Sequence, residues 1–469
     1  MHVTLEQNKM EKSKITFGII LLCALLIQDV QSIGVNYGTL GNDLPPPAQV
    51  AQFLKDRTII DRVKIFDANQ DIIRAFANTG IFLTITVPNG EIPALTDIGY
   101  AAGWINNNVK SFYPATKINY ICVGNEVLHW GPQNLIDNLV LAMRSLNQAL
   151  ISSGITDVKV VSPQSLAILQ PIPNDAPPSF ARFRDGWDKS ILGPMLQFHR
   201  ETNSPFMVNP YPYFGYSPNK ENFAVFKSRN PVVFDQVTKK SYNNMFDLLL
   251  DSVHVSMQKL GFADVGIVVG ETGWPSMGEP NQPHCSVSNA ASYNGGLLRK
   301  VVGGQGTPLM PNGKFEIYIF GLFNENIKPG PTAERNFGLF RPDFSQVYQT
   351  GIMKGEPLLP APVGGKRHGK RSPQPRPNPV QPNPIPPVNQ GPTWCVPKPE
   401  ATDAQLQQNL DMVCGSGIDC KPLQPGGACE LPNTIRDRAS WAMNSFYKSK
   451  GFVCDFAGTG LVTTVDPSK

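Results

Sequence analysis

Three acidic residues stand where short apolar runs stop: Glu126 after "INYICVGN", Glu271 after "GIVVG" and Glu325 after "IYIFGLFN". A carboxylate at the mouth of a buried run costs free energy unless it is paired or used. A strand-end acid reaching solvent, or a helix N-cap, accounts for one such residue; three together suggest shared use. Amides and aromatics stand at the same ends: Tyr37 behind Asn36, Asn125 beside Glu126, Tyr211 and Tyr213 around Pro212, and Trp274 after Glu271. Two carboxylates facing each other across a cleft are suited to glycosidic cleavage. One must be protonated to release the leaving oxygen, and the other must be ionised to attack the anomeric carbon. Burial and neighbouring negative charge raise the first pKa, while hydrogen bonds and cations hold the second low. Flat aromatic faces suit pyranose rings.

The elements that must position these groups recur along the chain. Eight β-rich runs follow one another: 33–38, 62–67, 81–87, 118–126, 158–164, 205–214, 264–274 and 315–326. Amphipathic stretches such as "PPPAQVAQFLKDR", "NLIDNLVLAMRSLNQALISSG" and "SYNNMFDLLLDSVHVSMQKLG" separate them. The last two end near Gly154 and Gly261, where helix C-caps fall. Eight strand–helix units predict an α/β fold, a closed (β/α)8 TIM barrel, with the site at the carboxyl ends of the strands. An open doubly wound sheet normally carries a Gly-rich phosphate turn after its first strand, and "NYGTLGNDLPPP" lacks that spacing.

The ends of the chain set its compartment. Residues 15–32, "ITFGIILLCALLIQDVQS", follow Lys12 and Lys14 and read as a signal peptide over 1–32, with Met10 as an alternative start. No later segment is apolar enough to span a bilayer. The formal charge of +4 is small and scattered, which argues against a nucleic-acid partner. The catalytic domain is expected over 33–355. A Pro-rich polyproline II linker follows over 356–392, and a small cysteine-dense module over 393–469. Cys395, Cys414, Cys420, Cys429 and Cys454 crowd that module, without His and without a C-x-x-C pair, so disulfides rather than a metal are expected.

"GVNYG", "VGNE", "VVGETGWPS" and "FNEN-K…ERNFGLF" resemble the landmark motifs of glycoside hydrolase family 17, the plant-type β-1,3-glucanases, over residues 33 to about 350. Residues 393–456 resemble the X8 domain, or carbohydrate-binding module family 43, through "WCVPKP", "LQQNLDMVCGSGIDC", "GGACELPN" and "CDF". The resemblance implies a retaining double displacement without cofactor or metal. Glu271 would be the nucleophile and Glu126 the acid/base, with Asn125 on the sugar 2-hydroxyl. Glu325, Lys328 and Glu334 would tune the charge of the cleft. It further implies disulfides Cys395–Cys454 and Cys420–Cys429 and leaves Cys414 unpaired. The implied partner is a β-1,3-glucan, and the protein is expected to be a secreted monomer of the extracellular space or cell wall, or of the vacuole.

Blander readings stand beside these. Trp274 packs the barrel rim as readily as it meets substrate. Tyr211 and Tyr213 sit in a stretch too irregular for strand pairing, which favours sugar stacking. His129-Trp130 follows Glu126 on a loop, structural or binding. Cys122, four residues before Glu126 on one strand, reads as a buried thiol, and Cys285 is left without a role. Two rival functions share the motifs: a glucan transglycosylase and a non-catalytic glucan-binding wall protein.

Overall fold

β-branched and aromatic residues alternate with few polar ones in each strand run, which is the pattern of parallel strands buried on both faces. In the computed structural model the first unit is described over 33–173 and 175–360. The second is described over 394–399, 401–415, 418, 420–423, 434–449, 454, 456 and 459–463. The expected signal peptide and residues 361–392 of the expected linker lie outside the described residues. Two compact units divide between residues 366 and 367. Residues 356–360, read from sequence as the start of the linker, belong to the first. Leu358 packs on its core, and Arg299 Nη1 donates to Leu359 O (2.8 Å).

The strands are β1 (Ile33–Tyr37), β2 (Arg62–Ile65), β3 (Phe82–Val87), β4 (Lys117–Val123), β5 (Lys159–Val161), β6 (Gln164–Ser165), β7 (Phe206–Asn209), β8 (Ile267–Thr272) and β9 (Ile317–Phe320). They pair in parallel in the order β5-β4-β3-β2-β1-β9-β8-β7-β6. β5 and β6 are one run of chain broken at Ser162-Pro163, where proline has no N–H for a ladder. Its first half pairs with β4 and its second with β7. The ring therefore closes through residues 159–165, and the fold is the (β/α)8 barrel implied by the sequence.

Helices cover the outside. Gln133–Ser152 buries Leu135, Ile136, Leu139, Met143, Leu146 and Leu150, an i, i+3, i+4 stripe facing the sheet. It ends at Gly154 (φ 74°), and Met245–Lys259 ends at Gly261 (φ 84°), in the left-handed conformation that stops a helix. Inside the ring, Tyr120, Cys122, Val161, Met207, Val268 and Tyr318 form an apolar and sulfur-rich layer. Cys122 is a buried free thiol in it.

In the second unit, helices Asp403–Gly415 and Ile435–Ser449 enclose Leu406, Leu410, Val413, Ala442, Met443 and Tyr447. Strands Trp394–Pro397 and Gly460–Thr463 pair in antiparallel fashion. Tyr447 is core, 4% exposed. Cys395 is bonded to Cys454, as the resemblance implies. The other expected pairing is corrected: Cys420 is bonded to Cys414, six residues away. Cys414 ends its helix and Cys420 opens the turn Lys421–Leu423, which brings their Cα atoms to 5.7 Å. Cys429 lies outside the described residues.

The two bridges close loops of very different length, 59 and 6 residues. In the chain-entropy account, removing Cys395–Cys454 as a Ser pair costs roughly 4 kcal/mol, and removing Cys414–Cys420 roughly 2 kcal/mol. Hydrogen exchange of Asp403–Gly415 and Ile435–Ser449 in the full chain reads this ordering. Equal losses of protection would contradict it.

Candidate active site

Side chains alternate along a strand, so parity decides which residues reach the barrel mouth. On β2, Arg62 and Lys64 point inward. Lys64 is fully buried, and its Nζ lies 2.9 Å from Glu271 Oε1 and 4.1 Å from the Phe66 ring centroid. Glu271 itself follows Gly270, and simple alternation from Val268 and Gly270 would turn it outward. A register shift between Val269 and Thr272, where β8 pairs with β9, adds the extra residue that re-aims it. Gly270 is required here because a Cβ would stand 2.7 Å from Met207 Cγ and 2.8 Å from Asn209 Oδ1. The second oxygen of Glu271 accepts from Tyr211 Oη (3.2 Å). Burial and the charges of Glu271, Glu126 and Glu334 raise Tyr211 well above the usual phenol range, so it stays a donor.

Glu126 is set by a different device. β4 ends at Val123, Gly124 takes φ 68°, and Glu126 itself sits at φ 51°, ψ 39° in the left-handed region. Its backbone N–H donates to Pro163 O (3.0 Å), at the break where the ring closes. Asn209 Nδ2 donates to Oε1 (2.9 Å) and Trp130 Nε1 to Oε2 (3.1 Å). Burial and the Glu271 charge raise the Glu126 carboxyl above the usual range; the Asn209 and Trp130 bonds and the Lys64 ammonium act against them. Asn125 is held through its backbone by Asn89 (2.8 and 3.2 Å), and its own buried Oδ1 has no protein partner.

Glu126, Glu271, Asn125, Tyr211, Glu325, Lys328 and Glu334 line one cavity of about 620 Å³, with Phe66, Trp130, Phe214, Phe320 and Phe337 as its aromatic walls. Lys328 pairs with Glu334 (3.1 Å) and lies 4.3 Å from the Phe320 ring centroid. Glu325 accepts from Leu40 N (2.8 Å) and crowds Gly38, where any Cβ would meet its carboxylate. An adjoining cavity of about 300 Å³ shares Glu126, Tyr211 and Phe214 and continues over Leu166, Ala167, Met245 and Leu249.

Three residues expected at substrate do not line the cleft. Tyr37 is 2% exposed and packs edge-on against Phe323, because Asn36 takes the inward place on β1. Trp274 is fully buried, its Nε1 donating to His284 O (2.8 Å). Tyr213 packs between Trp274, Phe337 and His284. Sequence reasoning missed Lys64, Asn209 and Trp130 as partners of the acids. Lys64 had a signal, a second cation two residues after Arg62 on one face of a short strand run.

Residues 33–352 match the model of glycosyl hydrolases family 17, and residues 393–461 match the X8 domain. A glucan endo-1,3-beta-glucosidase of Triticum aestivum is 47% identical over 444 residues, 93% of this chain and 93% of its own. The glucan endo-1,3-beta-D-glucosidase of Olea europaea is 38% identical over 470 residues, 97% of this chain and 96% of its own. Among solved structures, CJP38, a β-1,3-glucanase and allergen of Cryptomeria japonica pollen, aligns with TM-score 0.64 at 38% identity. It covers 68% of this chain and 99% of that one.

The electrostatic coupling of the acids gives a signed expectation. Glu271→Gln removes the negative neighbour of Glu126 and leaves the Lys64 ammonium unpaired nearby. Both changes favour the ionised form, so Glu126 should titrate at lower pH than in the parent. NMR titration of ¹³C-labelled glutamate side chains reads this directly. An unchanged or higher midpoint would contradict the coupling.

Proposed function

Because this chain belongs to glycosyl hydrolases family 17 and continues into an X8 domain, we propose that it cleaves internal β-1,3-glucosidic bonds of callose- and laminarin-type glucans. The observation that carries this reading is the pair Glu126 and Glu271 in one aromatic-walled cleft with unlike surroundings. Glu271 meets a buried ammonium and a phenol. Glu126 meets two neutral N–H donors and has a raised pKa. Such divergence separates a nucleophile from a general acid.

In the first step an oxygen of Glu271 bonds to the anomeric carbon while the bond to the departing glucan oxygen breaks. The proton of Glu126 goes to that oxygen. In the second step a water oxygen bonds to the anomeric carbon, its proton returns to Glu126, and the Glu271–sugar ester breaks. Lys64 and Tyr211 fix the orientation of Glu271 throughout. Asn125 Oδ1 is free to accept from the sugar 2-hydroxyl. Phe320, Phe337 and Tyr211 supply faces and edges for the rings. Glu325, Lys328 and Glu334 shape the charge of the far wall. The X8 unit adds glucan binding. Its two disulfides support an oxidising compartment, hence secretion to the extracellular space or cell wall.

Glu271→Gln cannot form the ester and should lose activity by about 10⁴-fold or more while the fold persists. Glu126→Gln should stall laminarin similarly, yet still release the aryl group of an activated aryl glucoside in the first turnover, since that step needs no proton. Later turnovers should stay slow because the attacking water has lost its base. Ordinary laminarin hydrolysis by either variant, counted as new reducing ends, would sink the assignment.

The X8 unit gives a separate test. A chain ending after residue 360 should hydrolyse soluble laminarin at the parent rate but wash more readily from insoluble β-1,3-glucan, since tethering raises local concentration. Equal retention in a pull-down would deny the second unit a binding role.

A further inference from the structure

Trp130 is left 72% exposed at the edge of the cleft, although an indole is among the largest apolar groups a chain can bury. His129 and Trp130 close a four-residue helix, Val127–Trp130, that begins directly at Glu126. His129 N and Trp130 N both donate to Glu126 O (2.9 and 3.1 Å). One helical turn returns an i+4 side chain over its partner, and the indole Nε1–H so reaches Glu126 Oε2 at 3.1 Å. The ring lies flat on the His129 imidazole, with centroids 4.0 Å apart and planes 21° apart. His129 Nδ1 is in turn hydrogen-bonded with Ser165 Oγ (3.1 Å). The indole therefore has a support on one side and solvent on the other.

The other oxygen of Glu126 is occupied, since Asn209 Nδ2 donates to Oε1 (2.9 Å). The proton of the acid form belongs on Oε2, the atom that the indole holds as a donor. Two N–H donors on one carboxylate favour its ionised form, whereas a general acid must present its proton to the glycosidic oxygen.

We propose that Trp130 is a positioning residue that ties protonation of the acid/base to occupancy of the cleft. In the empty cleft its N–H holds Oε2 of Glu126. When a glucan enters, the indole leaves Oε2 for the sugar face, and Oε2 takes a proton from solvent that it then delivers to the leaving oxygen. This inference rests on Glu126 being the acid/base. Besides Trp130, the titratable and charged groups that act on Glu126 are Glu271 from β8, Lys64 from β2, Tyr211 after β7, and His129 from its own segment. Burial and the Arg184 charge lower His129.

The test is the pH profile of Trp130→Phe on laminarin, which keeps a ring and loses the N–H. The profile of kcat/KM reports the free enzyme and that of kcat the complex. In the parent, the basic limb of kcat/KM should fall at lower pH than that of kcat. In Trp130→Phe the free-enzyme limb should move up by roughly half a pH unit while the kcat limb stays. Trp130→Ala should show the same shift with KM raised several-fold. Unchanged limbs in Trp130→Phe would overturn the proposal, as would an equal shift of both, because the indole would then stay on Oε2 in the complex. Glu126→Gln, assayed on an activated aryl glucoside with and without azide, separates the two failures. Acceleration of turnover by azide, with a glucosyl azide as product, keeps the acid/base assignment standing whatever Trp130→Phe shows, because the anion attacks the Glu271 ester without needing a base. No acceleration would remove the assignment itself.

Discussion

An ammonium and a carboxylate, Lys64 and Glu271, meet at 2.9 Å inside a barrel mouth that hides both from solvent. Removing two such charges from water costs several kcal/mol each, and their attraction offsets this only when the geometry is tight and the remaining valences are met. The surrounding structure reads as the means of meeting them. Phe66 lies under the ammonium, Tyr211 donates to the free carboxylate oxygen, and the register shift in β8 turns Glu271 inward. Asn36 Nδ2 donates to Gly270 O (2.9 Å) and so fixes the backbone from which Glu271 departs. Below them the layer of Tyr120, Cys122, Met207 and Tyr318 fills the barrel, so that water does not reach the pair from beneath.

That placement also governs the second acid. Glu126 is near enough to Glu271 to be raised by its charge, yet it has no cation of its own within hydrogen-bond reach. Asn209 serves both sides. It bonds Glu126, and it stands where any side chain at residue 270 would strike it. A change at Gly270 would therefore disturb both acids at once, which explains why a residue with no functional group belongs to the chemistry.

The strands, the barrel and three acids at strand ends were legible because they follow from period and position, whereas the choice of Glu126 and Glu271 among the three came from the family resemblance. Apolar runs of the right length recur, and their carboxyl ends carry unusual residues. Asn36 and Tyr37 are neighbours on β1, so alternation lets only one of them face inward. Asn36 takes that place and Tyr37 is buried on the outer side, by the same alternation that turns Cys122 inward. Trp274 and Tyr213 follow irregular segments in which no period applies, and tertiary packing decides their burial. The register shift that makes Glu271 available has no sequence signal beyond Gly270. The Cys414–Cys420 bridge was equally hidden, because cysteine spacing permits several connectivities and only the end of Asp403–Gly415 selects among them.

The far wall of the cleft shows why charged residues near an active site need not act on its acids. Lys328 is matched by Glu334 and lies over the Phe320 ring. Glu325 has its charge met by the Leu40 N–H and packs against Gly38. Lys328 and Glu334 are paired within one loop, whereas Glu325 is met across loops by a neutral N–H, and the Glu334 charge still reaches Tyr211 and helps to raise it. Glu325 pins the segment after β1 to that after β9, and the Lys328–Glu334 pair ties the latter to itself beside Phe320 and Phe337, which meet edge-to-face at 5.2 Å. The aromatic wall of the cleft is thus held by ion pairs and hydrogen bonds, opposite two acids whose surroundings differ.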